Sequence, residues 1–117
     1  MTYKQVILDF EAAERLAVIG MELAVETANA EHEKWSDRCW QLFWQWLNKK
    51  PRYFEFQVED FREHVYKMDL IEKPKSDRAF GFLTVKAVKR ELIQFVGNVK
   101  TSNKKAHRTP AGLWMKK

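Results

Sequence analysis

Residues 76–116 read SDRAFGFLTVKAVKRELIQFVGNVKTSNKKAHRTPAGLWMK, and the change of pattern inside this stretch decides the fold. Ser76 is a good N-cap, because its hydroxyl can accept from a free amide of a first turn, and Asp77 suits that turn's positive end. From there to Leu92 the residues Ala79, Phe80, Leu83, Ala87, Val88 and Leu92 recur at helical spacing. This predicts a helix with those side chains inward and Arg78, Lys86, Lys89 and Arg90 outward. Gly81 and Phe82 weaken the pattern near its start. The period then changes: 93–99 is rich in Ile, Phe and Val, broken at Gly97, and 112–115 is a second short apolar run. Two strands joined by the polar, basic, turn-rich segment from Lys100 to Pro110 make a hairpin with a charged tip.

Upstream, Val58, Phe61, Val65 and Met68 share one helical face, with Glu59, Asp60 and Glu63 near the start where negative charge suits the dipole. Before them, Tyr53 to Phe56 alternates as a strand. Pro51 ends the preceding helix, since proline cannot donate to the turn before it. That helix is expected to begin at an N-cap, Ser36 or Asp37, and to run to Asn48. It carries Trp40, Leu42, Phe43, Trp44, Trp46 and Leu47 around most of its circumference, which predicts burial. Trp35 joins these tryptophans. Only Arg38 is interleaved with them, so they read as core rather than as a platform for stacked bases. Residues 9–33 read as a long helix with a narrow stripe of Ala13, Leu16, Ala17, Gly20, Leu23, Ala24 and Thr27. Packing on the chain's own domain and a homodimer through that stripe both stay open.

The order helix, strand, helix, helix, strand, basic loop, strand is that of a winged helix-turn-helix. The fold class is mostly α with a small β-hairpin: an N-terminal helical extension over 1–34 and a winged-helix domain over 35–117. At 117 residues there is room for one core and little more. No long apolar run and no signal-peptide pattern open the chain, which predicts a cytoplasmic protein with no membrane partner.

Several residues together carry a resemblance. Trp35-Ser36-Asp37 precedes the aromatic helix, and Phe56 with Val58-Glu59-Asp60-Phe61-Arg62 opens the next. Pro74, Arg78-Ala79-Phe80-Gly81, Leu92-Ile93, Gly97, Ala106-His107 and Gly112-Leu113-Trp114 follow. Over roughly residues 20–116 the chain resembles small winged-helix proteins encoded by bacteriophages and prophages, often found among replication or early genes. Thr109-Pro110-Ala111-Gly112 departs from the more polar run expected before the last strand. The resemblance implies an architecture, and a setting in the host bacterial cytosol, rather than a particular activity.

Charge separates the two ends of the chain. Residues 1–71 hold nine Lys/Arg against thirteen Asp/Glu, and residues 72–117 hold twelve against three. A polyanion is attracted to the second part and opposed by the first. The fourth helix is therefore the candidate for the major groove, with Arg78 and Lys86 toward base edges, Ser76 at a phosphate and Lys89 on the backbone. Lys75 and Arg90 flank these positions. Lys100, Lys104, Lys105, His107 and Arg108 on the hairpin tip are placed to reach the flanking minor groove or backbone. Taken alone, the helix cations also fit a merely solvated face; the adjoining basic loop tips the reading toward nucleic acid.

Nothing points to catalysis. His32, His64 and His107 fall in three different elements without metal-ligand spacing, so no metal or other cofactor is expected. Cys39 is a single cysteine and reads as a small buried hydrophobe. Glu59, Asp60 and Glu63 are explained by the helix start, and no phosphate loop or nucleophile elbow occurs. The expectation is a non-enzymatic DNA-binding protein, acting on duplex DNA as a phage regulator or an accessory factor in replication or recombination. The competing expectation is a protein-interaction module that docks on a host or phage protein through its N-terminal helix or winged-helix surface.

Overall fold

The computed structural model describes residues 18–99 and 111–117. Helix α1 is described over 18–31 and α2 spans Trp35–Asn48. A two-residue strand, β1, at Glu55–Phe56 leads into α3 at Val58–Lys67. A 3-10 turn at Asp77–Gly81 runs into α4 at Phe82–Lys89. Strands β2, Ile93–Val99, and β3, Ala111–Lys116, complete a three-stranded antiparallel sheet of order β1-β3-β2. The described chain is thus mostly helical with one small sheet. No helix among the described residues is long and apolar enough to cross a membrane.

The aromatic helix α2 occupies the centre. Trp35, Cys39, Trp40, Phe43, Trp46 and Leu47 are buried along it. Phe43 meets Trp40, Trp46, Phe56 and Phe61 at ring-centroid distances of 5.2–6.0 Å, edge-on to Phe61. Such contacts add about 0.5–1.5 kcal/mol each beyond the area they bury. Phe61 and Val65 from α3, Phe80, Leu83 and Ala87 from the 3-10 turn and α4, and Ile93 from β2 close this core, with Trp114 packed against it. The expected shared core of Phe61, Phe80, Leu83, Ile93 and Trp114 with Trp40 and Phe43 is present. Trp44 departs from the expectation at 48% exposed, because α2 keeps one side for solvent.

Several local expectations shift. Helix α2 begins at Trp35, ahead of both expected caps, after Lys34 turns the chain at φ 53°. Its first turn is satisfied from α1: Asn29 Oδ1 accepts the Ser36 amide at 2.8 Å, and Asn29 Nδ2 donates to Ser36 Oγ at 3.0 Å. The inward stripe of α1 is Met21, Ala24, Val25 and Ala28, with Ala28 fully buried; Leu23 and Thr27 are exposed. Ala13, Leu16 and Ala17 lie outside the described residues. The first strand shrinks to Glu55–Phe56 because Tyr53 turns at φ 69°. Met68 and Val88, expected inward, are exposed.

Helices α3 and α4 end alike. Asp69 and Glu91 take left-handed backbone at φ 52° and 58°, and the next amides, Leu70 and Leu92, donate back to the carbonyls of Val65 and Ala87 at 2.9 Å. These are Schellman closures in which an ordinary residue stands where glycine is favoured. They explain why α4 stops at Lys89 rather than continuing to Leu92. The opening of the expected fourth helix is likewise divided, since its first turn is the tighter 3-10 form capped by Ser76.

Two stability outcomes follow from this packing. Phe80→Ala removes a side chain that contacts Trp35, Phe61 and Tyr66 and lowers unfolding free energy by about 3–5 kcal/mol in urea titration. Glu91→Gly relieves left-handed strain of about 1–2 kcal/mol and returns part of it as unfolded-chain entropy of about 0.5–1 kcal/mol. The same titration should show a net gain of about 0.5–1 kcal/mol.

Candidate nucleic-acid interface

The hairpin grows out of the core. Ile93 is buried opposite Lys116, and the pairing continues through Phe95↔Trp114 and Gly97↔Leu113 to Val99↔Ala111, with a bulge between Phe95 and Gly97. Phe95 and Trp114 share one sheet face at a centroid distance of 5.3 Å, and Phe95 is 55% exposed. Trp114 lies over Gly112, where an added Cβ would meet its indole nitrogen at 3.0 Å. Any larger residue at 112 therefore forces the ring to move. Residues 100–110 join the open end of this hairpin, so Lys100, Lys104, Lys105, His107 and Arg108 lie outside the described residues.

The candidate cations around α4 separate into distinct environments. Lys75 pairs with Glu31 of α1 at 2.8 Å, and that hydrogen bond holds its amine above the ordinary lysine range. Ser76 Oγ accepts the Arg78 amide at 3.3 Å, so the hydroxyl is engaged as a cap. Arg78 is exposed, with its guanidinium beside α1: a Cβ added at Gly20 would stand 3.2 Å from Nη1. Lys86 and Arg90, one helical turn apart, both lie over Trp40, at 4.6 and 5.4 Å from the ring centroid. Cations over an indole face are attracted by its quadrupole. Lys89 is exposed beside Val85 on the outer side of α4, where Val85 and Val88 are each 43% exposed.

The structure therefore brings Lys86 and Arg90 together on Trp40 and leaves Lys75 and Arg78 on the side toward α1. Sequence reasoning missed the ring under the two cations. The Lys86/Arg90 spacing of one turn was a signal that they share a face, but nothing marked Trp40 as its floor. A further cationic group at the sheet base was also missed. Lys50 Nζ lies over Trp46 and Phe54 at 5.1 and 5.2 Å, Arg52 over Tyr53 at 5.0 Å, and Lys116 Nζ donates to the Lys50 carbonyl at 2.7 Å.

The loop before α4 is tied down from α2. The Trp35 indole N–H donates to the Glu72 carbonyl at 2.9 Å, and Arg38 pairs with the Glu72 carboxylate at 2.9 Å, holding that carboxyl below its ordinary range. Tyr66 donates to Asp77 at 2.9 Å; burial first, then that carboxylate, push its phenol well above the usual range. Among the described residues no group of three or more His, Cys, Asp or Glu is placed to hold a metal ion. Comparison with protein-family models, with curated proteins and with solved structures finds no match to this chain.

Burial pushes the Cys39 thiol up to about 12. Its neutral form is held in the folded state while the unfolded thiol ionises near its ordinary value of about 8.5. The associated stability is present below that value and is lost as pH rises toward about 12. At pH 8 the native thiol should react with a disulfide reagent only through unfolding, at a rate that rises with added urea. Rapid labelling of the folded protein would contradict this burial.

Proposed function

We propose that this chain is a winged helix-turn-helix protein that binds duplex DNA without chemistry of its own. The observation that carries the reading is the order helix, strand, helix, helix, strand, strand closed as β1-β3-β2. That order puts the acid-free segment 100–110, with its four Lys/Arg, at the open end of a hairpin rooted in the core. On this reading α3 and α4 are the helix pair and the hairpin is the wing. Lys86 and Arg90 engage Trp40, and α4 offers Val85, Val88 and Lys89 outward, so the wing supplies more of the grip than the helix supplies of the reading. The bound form is then dominated by phosphate contacts, with modest discrimination between sequences. A phage regulator or an accessory factor in replication or recombination fits such binding, as the sequence resemblance suggests.

The exposed valines favour a second reading, because a groove-reading helix usually presents polar side chains there. In that reading the same face of α4 docks on another protein.

An electrophoretic shift assay at two salt concentrations separates the two. Duplex DNA binding should be present in low salt, and Lys104→Ala/Lys105→Ala should weaken every duplex about equally. The salt slope should shrink by roughly one unit for each phosphate no longer neutralised. Arg78→Ala should change discrimination by at most about 1–3 kcal/mol. Absence of duplex binding by the unaltered protein in low salt removes the DNA reading and leaves the valine face as the interface to pursue.

A further inference from the structure

A cleft of about 340 Å³ opens between α1, the first turn of α2 and the start of α4. Met21, Val25 and Phe82 give it an apolar lining, and Glu22, Glu26 and Asp37 supply carboxylates around it. Among the described residues the one cation lining it, Lys86, is drawn over the Trp40 ring. Among the described residues none of these three carboxylates has an ion-pair partner, whereas Glu31 and Glu72 nearby are each paired. We infer that this cleft is a docking site for a basic amphipathic helix of a partner protein, which inserts one large apolar side chain and sets Lys or Arg against Glu22 and Glu26.

Size, spacing and charge each bear on the occupant. The volume lies at the small end of the range for ligand pockets, suited to one bulky side chain rather than to a cofactor. Glu22 and Glu26 are four residues apart on α1, about 5–6 Å between their Cβ atoms, the distance between cations one turn apart on a facing helix. The whole chain carries net charge +5 and repels a basic peptide at long range. Attraction must therefore be local, and this cleft is a place where carboxylates with no ion-pair partner among the described residues meet apolar surface. The same carboxylates oppose a nucleic acid here, so the site is separate from the wing and stands or falls independently of DNA binding. An apolar anchor laid into a groove between helices, with charged residues at its rim, is a common mode of helix recognition.

The test uses the full chain and a short, end-blocked amphipathic helix of leucine and lysine as probe, followed by titration calorimetry. One-to-one binding is expected. Glu22→Lys/Glu26→Lys should weaken it by about tenfold or more, since two exposed attractions become repulsions. Both residues are exposed, so the variant keeps its fold. Glu55→Lys/Glu63→Lys, at exposed carboxylates away from the cleft, should leave affinity within about twofold of the unaltered chain, a difference of about 0.4 kcal/mol. A probe with its leucines replaced by serine should not bind. Equal weakening by the two charge reversals, or retained binding of the serine probe, would overturn the proposal in favour of diffuse electrostatics. Self-association that Glu22→Lys/Glu26→Lys abolishes would overturn it in favour of a second copy of this chain as occupant. DNA binding is read separately with Lys104→Ala/Lys105→Ala, so failure of one reading leaves the other standing.

Discussion

The burial of α2 is the constraint on which the rest depends. Its aromatic side chains are too large and too many for a single neighbouring element to cover. Helix α3, α4, the sheet and part of α1 are each drawn to it because each covers a different part of its surface. Phe56 and Phe61 reach Phe43, Phe80 meets Trp35 edge-on, and Ala28 approaches from α1. Trp35 shows how polar and apolar demands are met together. Its ring is fully buried, and its one donor finds the Glu72 carbonyl. That bond fixes the loop that would otherwise connect α3 and α4 loosely, and so sets where α4 begins. A buried donor without such a partner costs about 1–3 kcal/mol. Among the described residues no buried side-chain polar atom lacks a partner.

Electrostatics divides the molecule less simply than its charge totals. The basic second part and the acidic first part are not two separate surfaces, because α1 brings its carboxylates to the start of α4. Glu31 neutralises Lys75 locally, and Glu22 and Glu26 share a cleft with Lys86. The cations of α4 are consequently unequal. Lys89 faces solvent, Lys86 and Arg90 stack on an indole, and Lys75 is paired. Exposed pairs contribute little to stability, so their effect lies in where a polyanion can approach. A cation already paired or held over a ring is less available to an anion than one facing solvent, and the carboxylates of α1 make its side of the cleft locally negative.

Much of the architecture is legible because its signals are local. The period-four pattern of Phe61 and Val65, the Ser76 cap and the two apolar runs flanking the polar, turn-rich segment each depend on neighbours close in the chain. The same locality explains the errors. The Asn29 to Ser36 cap comes from a different helix, so local spacing points to a nearby serine or aspartate instead. The left-handed closures at Asp69 and Glu91 carry no glycine to announce them, and periodicity alone therefore over-extends the fourth helix. The candidate site is legible only as composition. Spacing places Lys86 and Arg90 on one helical face, but not over Trp40, which lies more than forty residues earlier in the chain.

By itself the amino-acid sequence determined the helices, the hairpin, the aromatic core and the concentration of positive charge after residue 71. Periodicity and turn chemistry act over a few residues and survive any rearrangement of distant parts. Only the tertiary structure decided which side of α1 faces inward, which cations remain available, and that Glu22, Glu26, Asp37 and Phe82 meet at one cleft. Those outcomes depend on distances across the fold, where burial and charge act between residues that no spacing in the chain relates.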